Sequence, residues 1–252
     1  ELADRRRRRR RQRVLLGHGR CDEVVGGLLQ ALDEPRRDAE RAVVARCERD
    51  KAVGVECDAD CLNRQMCVEC VASSCAHGAR CQNRRFQRRE TKALRIVRTA
   101  RCGWGVEAAA AIRKGDFIVE AIGELVDETE ARERLARAEE RGDAAFYMIG
   151  CDGGTQNPLV IDCTRKGNES RFVNHSCEPN CELAKWRVGD KDRYGIFALR
   201  DIAPDEDVTY DYRYQAFSGV VHRGHPCYCG APTCCGTLSR PPAGGDAVAA
   251  VS

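Results

Sequence analysis

The stretch RFVNHSCEPNC, residues 171–181, concentrates side chains that can do chemistry. Asn174, His175 and Cys177 lie within four residues of one another. These residues leave three interpretations open: a nucleophile with its base, a metal site, or a pocket for a cofactor. A base and a nucleophile two positions apart seldom form a working pair, and no third orienting group is evident. A Cys/His hydrolase is therefore the weakest interpretation, and the rest of the chain decides between the other two.

Cysteines recur in two clusters that favour metal. The chain has 17 cysteines, and no stretch resembles a signal peptide or reaches the ~18 apolar residues of a membrane span. Without a secretory signal, closely spaced cysteines favour metal over disulfides. The first cluster comprises Cys47, Cys57, Cys61, Cys67, Cys70, Cys75 and Cys81. Disulfides would leave one of these seven unpaired, whereas zinc takes four thiolate or imidazole ligands and can organise a segment with few apolar residues.

The second cysteine cluster is CYCGAPTCC, residues 227–235. Cys227, Cys229 and Cys234 supply three ligands, and the adjacent Cys235 is a poor fourth because neighbouring residues rarely bind the same ion. Cys177 is a candidate for the missing ligand. Such a bond would tie the end of the chain to the central segment.

The elements that position these residues are mainly short strands. Between Leu94 and Phe217 the runs LRIV, DFIVEAIGELV, PLVID, YGIFAL and EDVTYDY alternate with turn residues and predict β structure. One helix is expected at about 128–141, where Glu and Arg recur at helical spacing. The predicted class is mostly β with short helices.

Charge is unevenly distributed, although the formal net charge is only +3. Residues 5–11 are all arginine, and Arg13 extends the run. Such a block repels itself and stays solvated, so we expect a disordered basic arm. It is either a solvated tail or nuclear-import signal, or it makes non-specific contact with DNA phosphates. The tail after Arg240 is rich in Gly, Ala and Pro, which predicts disorder.

Five motifs appear in an order that resembles the SET-domain protein lysine methyltransferases. They are GWG (103–105), GELV (123–126), RFVNHSCEPNC (171–181), VTYDY (208–212) and CYCGAPTC (227–234). The preceding CDADCLNRQMCVEC and CQNRRFQ segments resemble the AWS zinc module of the subgroup that methylates lysine-36 of histone H3. The likeness covers about residues 46–238.

The resemblance implies a SET fold, in which small curved sheets surround a pseudoknot, flanked by zinc-stapled AWS and post-SET modules. The implied domains are a basic arm and extension (1–45), the AWS module (46–90), the SET domain (91–217), a loop with the post-SET module (218–238) and a disordered tail (239–252). We expect a monomeric fragment of a larger nuclear protein that acts on the histone H3 tail in chromatin, with no membrane association.

The resemblance also assigns roles to residues. The S-adenosylmethionine pocket is implied at Gly103, Trp104, Tyr147, Arg171, Asn174, His175 and His225, with Asn174 and His175 acting largely through backbone and amide hydrogen bonds. Tyr212 matches the catalytic tyrosine, and a tyrosine at the Tyr210 position implies mono- or dimethylation. The implied post-SET zinc ligands are Cys177, Cys227, Cys229 and Cys234. The implied AWS ligands are Cys47, Cys57, Cys61, Cys70, Cys75 and Cys81. In this arrangement Cys57 bridges two ions, Cys47 and Cys61 complete one site, and Cys70, Cys75 and Cys81 complete the other, so two or three zinc ions are expected in the chain.

Two positions depart from the family pattern. Ala45 stands where the AWS module usually has a cysteine, so Cys21, Cys67, His77 or water would have to complete the first zinc site. Cys102 replaces a lysine that commonly precedes GWG and contacts the cofactor. Because the catalytic tyrosine and the NHSC segment are intact, an active enzyme is favoured over a catalytically silent chromatin-binding module. In the same subgroup the loop between Tyr214 and Cys227 can cover the lysine channel.

Overall fold

The computed structural model describes residues 61–73, 75–142, 147–151, 159–212 and 226–238. These residues form mainly strands, which confirms the predicted class. The strands are β1 (Leu94–Arg98), β2 (Trp104–Ala108), β3 (Phe117–Glu120), β4 (Glu124–Asp127), β5 (Met148–Cys151), β6 (Leu159–Asp162), β7 (Asn174–His175), β8 (Cys181–Val188), β9 (Lys191–Ala198) and β10 (Thr209–Tyr210). The helices are α1 (Leu62–Gln65) and α2 (Glu128–Glu140), with 3-10 turns at Gly78–Arg80 and Glu169–Phe172. The expectations for the basic arm, Cys47, Cys57, His225, the loop before Cys227 and the C-terminal tail lie outside the described residues.

The first sheet is the antiparallel hairpin of β1 and β2, which presents the GWG motif. The register pairs Arg98 with Trp104, and the backbone N–H of Thr99 donates to the carbonyl of Gly103 at 2.8 Å. Gly103 has φ of 70°, a left-handed conformation that glycine adopts without the steric cost a Cβ would add. The turn therefore delivers Trp104 directly onto a strand.

The central sheet has five strands in the order β3-β9-β8-β10-β7. Strands β8 and β9, of eight residues each, form an antiparallel hairpin, while the short β10 runs parallel to both β8 and β7. The fully buried side chains of Ile118, Val119, Val208 and Ile196 belong to the main core, which packs against this sheet. Thus residues 174–175 are anchored beside residues 209–210 by the core, although they are far apart along the chain.

The third sheet, in the order β4-β6-β5, carries the helix α2. The helix begins as predicted: the Asp127 side chain accepts the backbone N–H of Glu130 at 2.8 Å and caps its N-terminus. Ala131 and Leu135 are buried on its inner face. Arg134 fixes the helix to the sheet through Asp162 at 2.8 Å.

The cysteine-rich segment packs against the central sheet rather than standing apart from it. Phe86 contacts Phe117, with ring centroids 4.6 Å apart, and lies in one buried cluster with Trp186 and Phe197. The backbone N–H of Glu69 donates to the carbonyl of Arg187 at 2.9 Å. The segment therefore gains an apolar core from the neighbouring sheet, which its own composition does not supply.

The fold requires a glycine at the centre of this aromatic cluster. A Cβ on Gly195 would lie 2.6 Å from a ring carbon of Phe117 and 2.7 Å from a ring carbon of Phe86.

Within the described ranges, no helix is long and apolar enough to cross a bilayer.

Candidate functional site

The site is built on two short parallel strands. In the register of β7 and β10, Asn174 pairs with Thr209 and His175 with Tyr210. The ladder continues through the backbone N–H of Ser176, which donates to the carbonyl of Tyr210 at 3.2 Å. The NHSC segment and the VTYDY segment, singled out separately in the sequence, are thus brought together.

Tyr212 lies just beyond β10 and packs over the NHSC segment. Its ring centroid is 4.9 Å from that of Tyr210 and 5.4 Å from that of His175. Its hydroxyl donates to the backbone carbonyl of Val173 at 2.9 Å. The strand is shorter than the run EDVTYDY suggested, because Tyr212 leaves the ladder and is held by its side chain instead.

The imidazole of His175 joins Tyr212 to Cys177. Its Nδ1 accepts the backbone N–H of Tyr212 at 3.2 Å, and its Nε2 lies 3.5 Å from the sulfur of Cys177. Burial lowers the pKa of His175, although the Asp211 carboxylate, 3.6 Å from Nδ1, opposes the shift, and this direction favours the neutral ring. Since Nδ1 is the acceptor, the ring proton is on Nε2 and is directed at the sulfur. The side chain thus has a role that the backbone interpretation of His175 did not include.

Asn174 connects the same strand to the GWG turn. Its side-chain amide donates to the carbonyl of Trp104 at 3.0 Å. This contact depends on Gly105, where a Cβ would lie 3.0 Å from the Asn174 amide nitrogen and 2.6 Å from Cγ2 of Thr99. A glycine at this position lets the two segments approach closely.

The guanidinium group of Arg171 packs over the ring of Tyr147. The guanidinium carbon of Arg171 lies 4.3 Å from the ring centroid of Tyr147 and 5.1 Å from that of Phe172. Its buried Nε has no hydrogen-bond partner among the described residues, and a buried donor without a partner is unfavourable. A bound polar ligand at this place would satisfy it.

Four sulfurs converge at the C-terminal cysteine cluster, which we call the post-SET cluster: Cys177, Cys227, Cys229 and Cys234. All four lie within 4.8 Å of one another, and Cys177 is 3.9 Å from Cys227 and 4.0 Å from Cys234. Zinc–sulfur bonds of about 2.3 Å in a tetrahedron place ligand sulfurs about 3.8 Å apart. The geometry fits one four-thiolate zinc ion.

Hydrogen bonds to the sulfurs support the same fit. Burial disfavours the Cys229 thiolate, but backbone N–H groups of Cys177 and Ala231 lower the pKa of Cys229 to about 6. The pKa of Cys227 is raised by burial and by the neighbouring thiols. A dication would remove the cost of placing several thiolates together.

The N-terminal cysteine cluster, here called the AWS cluster, brings together Cys70, Cys75 and Cys81, whose sulfurs lie within 4.8 Å of one another. Cys61 joins them, with its sulfur 3.8 Å from that of Cys70. The family resemblance implied that Cys61 binds the same ion as Cys47, whereas the structure places its sulfur beside that of Cys70. Cys67 packs against the aromatic cluster.

Sequence reasoning did not single out Asn83, which supports the AWS cluster. The Asn83 amide donates to Cys70 at 3.4 Å and to the carbonyl of Val68 at 2.8 Å, while its backbone N–H donates to Cys81 at 3.4 Å. The amides of Asn83 and Asn63 counter the effect of burial and lower the pKa of Cys70. The available signal was an asparagine two residues after a cysteine.

Family models match two parts of the chain: the SET domain at residues 103–213 and the AWS domain at residues 51–89. The chain is 45% identical over 185 residues to the histone-lysine N-methyltransferase ASHR3 of Arabidopsis thaliana, a match that covers 73% of this chain and 35% of that protein. It is 40% identical over 185 residues to a human histone-lysine N-methyltransferase, H3 lysine-36 specific, covering 73% of this chain and 7% of that protein.

Among solved structures, the chain is similar to the methyltransferase domain of the human histone-lysine N-methyltransferase SETMAR. The TM-score is 0.59 at 29% sequence identity, and the match covers 68% of this chain and 66% of that one. The chain spans about a third or less of the length of the two curated relatives described above. It covers a larger share, 66%, of the isolated methyltransferase domain.

Proposed function

Because this chain belongs to the SET-domain family and has an AWS domain directly before its SET domain, we propose that it is an S-adenosylmethionine-dependent protein lysine methyltransferase. Its proposed substrate is the histone H3 tail of the nucleosome, with lysine-36 as the target and mono- or dimethyllysine as the product. The site of action is then nuclear chromatin. We propose the same domain limits as those expected from the sequence, with the AWS module at residues 46–90 and the SET domain at residues 91–217.

One observation supports this function above the others: Tyr212 is held over the NHSC strand beside the GWG turn. In the proposed arrangement Gly103, Trp104, Asn174 and His175 line one wall of the cofactor pocket. The cofactor supplies an electrophilic methyl group. The chain aligns the lysine amine with that group and excludes water, which accelerates an in-line displacement.

The proposed cofactor pocket extends to Arg171 and Tyr147. The buried Nε of Arg171 needs an acceptor, and the carboxylate of the cofactor's methionine part has that chemistry. His225, which lies outside the described residues, is proposed as a further contact near the post-SET cluster.

Tyr212 is the proposed catalytic residue. Its hydroxyl orients the lysine amine and stabilises the charge that develops during transfer. A desolvated channel lowers the lysine pKa, so that the neutral, nucleophilic amine is available. Tyr210, which is 8% exposed, limits the space beside the amine and thereby restricts the number of methyl groups.

The post-SET cluster is proposed to hold one zinc ion and the AWS cluster a second, with a third ion in the part of the AWS module that includes Cys47 and Cys57. The 3.8 Å contact between the sulfurs of Cys61 and Cys70 supports Cys61 as a ligand shared with the second ion. This assignment differs from the expectation that Cys57 bridges the two ions. Counting zinc in a Cys61→Ser variant discriminates between them: loss of both AWS ions supports a shared Cys61, and loss of only the ion bound with Cys47 supports a bridging Cys57.

A direct assay tests the function. The protein is incubated with S-adenosylmethionine labelled on its methyl group and with recombinant nucleosomes, and the product is mapped by tandem mass spectrometry. We expect mono- and dimethylation of histone H3 at lysine-36, reduced about 10²-fold or more in Tyr212→Phe. Cofactor binding in calorimetry without any transfer would support the chromatin-binding module instead. Trimethyllysine as the main product would refute the role of Tyr210.

The zinc assignment has a matched pair of variants. Cys177→Ser should lose the post-SET zinc, measured by inductively coupled plasma mass spectrometry, and activity with it. Ser176→Ala removes only a side-chain acceptor for the backbone N–H of Glu178, at 3.1 Å, and should keep the full zinc content. Equal zinc content in both variants would refute Cys177 as a ligand.

A further inference from the structure

The post-SET cluster has a fifth thiol that the zinc assignment does not use. The sulfur of Cys235 lies 3.7 Å from that of Cys177, closer than Cys227 or Cys234. Cys235 is exposed to solvent, whereas Cys177 is half-buried. The four proposed ligands, which lie within 4.8 Å of one another, are enough for one tetrahedral zinc ion, so Cys235 is left outside that set.

Backbone contacts distinguish Cys235 from its neighbour Cys234. The sulfur of Cys234 accepts the backbone N–H of Gly236 at 3.4 Å and lies 4.0 Å from the carbonyl of Cys227. The sulfur of Cys235 instead lies 3.1 Å from the carbonyl of Thr237, at the outer edge of the cluster. In addition, the backbone N–H of Cys235 is hydrogen-bonded to the sulfur of Cys177. Cys235 is thus held beside one ligand, on the solvent side.

We propose that Cys235 is an oxidation site at which hydrogen peroxide releases the post-SET zinc through a disulfide with Cys177. This inference rests on the zinc assignment made above but not on methyl transfer. An accessible thiol next to a second sulfur is the arrangement in which a sulfenic acid is captured as a disulfide.

The reaction balances in two steps. The sulfur of Cys235 attacks one oxygen of hydrogen peroxide, the O–O bond breaks, and Cys235 becomes a sulfenic acid as one water leaves. The thiolate of Cys177 then attacks the sulfenic sulfur, the S–S bond forms, and hydroxide leaves and takes up a proton to give a second water. Two sulfurs are oxidised and one peroxide is reduced, while the zinc stays a dication and loses one of four ligands.

The geometry makes Cys177 the partner of this disulfide and links it to the proposed cofactor pocket. The two sulfurs must close from 3.7 Å to the bonded distance of about 2.05 Å, a shift within the reach of side-chain rotation. Cys177 follows His175 by two residues, and His175 lies on β7 beside β10. Loss of the Cys177 ligand therefore occurs two residues from the strand that is proposed to line the pocket.

The test measures zinc release rather than activity. Wild type, Cys235→Ser and Cys102→Ser are each loaded with zinc and treated with hydrogen peroxide, and released zinc is followed with a chromogenic chelator. Cys102 is the matched control, because among the described residues it is the other exposed thiol and lies near Cys229, but it has no contact with the Cys177 sulfur there. We expect release to slow at least about tenfold in Cys235→Ser only. Tandem mass spectrometry of the oxidised wild type should show the Cys177–Cys235 bond.

Each alternative outcome overturns the inference. Equal release rates in wild type and Cys235→Ser would show that the four ligands oxidise without Cys235. A disulfide between other cysteines of the cluster would exclude Cys177 as the partner. Loss of zinc from Cys235→Ser before peroxide is added would identify Cys235 as a ligand. Zinc content before oxidation also separates this inference from the zinc assignment itself, which fails if the wild type binds no metal there.

Discussion

Replacing His175 in two different ways should separate its two contacts. The Nδ1 atom accepts the backbone N–H of Tyr212, and Nε2 is directed at the sulfur of Cys177. Asparagine places its side-chain oxygen near the Nδ1 position and has no atom at the Nε2 position. Glutamine places its amide nitrogen near the Nε2 position and has no acceptor at the Nδ1 position. Each variant therefore keeps one contact and loses the other.

The size of each effect follows from the contact that is lost. In His175→Gln, the Tyr212 N–H loses its acceptor in a site where the His175 side chain is only 7% exposed. An unsatisfied buried donor costs roughly 1–3 kcal/mol, and the half-buried state of Tyr212 places this case at about 1–2 kcal/mol. If this free energy is lost from the positioning of the Tyr212 hydroxyl in the transition state, kcat decreases about 5- to 30-fold. In His175→Asn, loss of a hydrogen bond to a metal-bound sulfur should weaken zinc about 10- to 100-fold.

The assay combines steady-state kinetics with metal titration. For each variant, kcat and KM are measured for labelled S-adenosylmethionine on nucleosomes at saturating zinc, and zinc affinity is measured by competition with a chelator. We expect low kcat with unchanged zinc affinity for His175→Gln, and weak zinc with near-normal kcat for His175→Asn. A parallel loss of both quantities in both variants would show that His175 only fills space, and would refute the assignment of two separate contacts.

Further predictions concern the scaffold. Arg134→Gln should lower the melting temperature and weaken its dependence on acidic pH, while Arg137→Gln, at an exposed position, should do neither. Burial opposes ionisation of Asp162, but hydrogen bonds from Thr164 and Arg134 lower the pKa of Asp162 below 3.8. The stability that the ionised Asp162 contributes is therefore present above pH 3.8 and is lost as the pH falls through the lowered pKa of the folded protein. Gly105→Ala should reduce S-adenosylmethionine affinity in calorimetry, because its Cβ would meet two side chains at 3.0 Å or less, and unchanged affinity would exclude this role. Phe86→Ala should cost about 3–5 kcal/mol in chemical denaturation, and a loss below 1 kcal/mol would mean that the cysteine-rich segment is held by metal alone.

The sequence predicted those parts of the fold that local patterns encode. The helix was expected at about 128–141 and extends over Glu128–Glu140, because its Glu and Arg spacing and its Asp127 cap act locally. The longest strand pair was only half anticipated. YGIFAL indicated β9, but β8 (Cys181–Val188) was not among the predicted runs, since Glu182, Lys185 and Arg187 interrupt its apolar residues.

The family resemblance proposed residues for the candidate site, but it did not indicate how their side chains are connected. The resemblance assigned Asn174, His175 and Tyr212 to one proposed site, and the structure places these residues on or beside paired strands. The contact of His175 with Tyr212 and Cys177, and the nearness of Cys235 to Cys177, depend on side-chain geometry between segments that are separated in sequence. Spacing alone carries no information on which of two adjacent cysteines faces the cluster.

The parallel pairing of β7 with β10 also has a consequence for how the chain folds. The two strands contribute only two residues each, and the complete β8–β9 hairpin lies between them in sequence. Local hairpins form quickly, whereas a two-residue parallel ladder between distant segments must await the loop closure that the hairpin provides. The pocket should therefore assemble late, after the scaffold. In pulse-labelling hydrogen exchange during refolding, the amides of β8 and β9 should be protected before those of Ser176 and Tyr212.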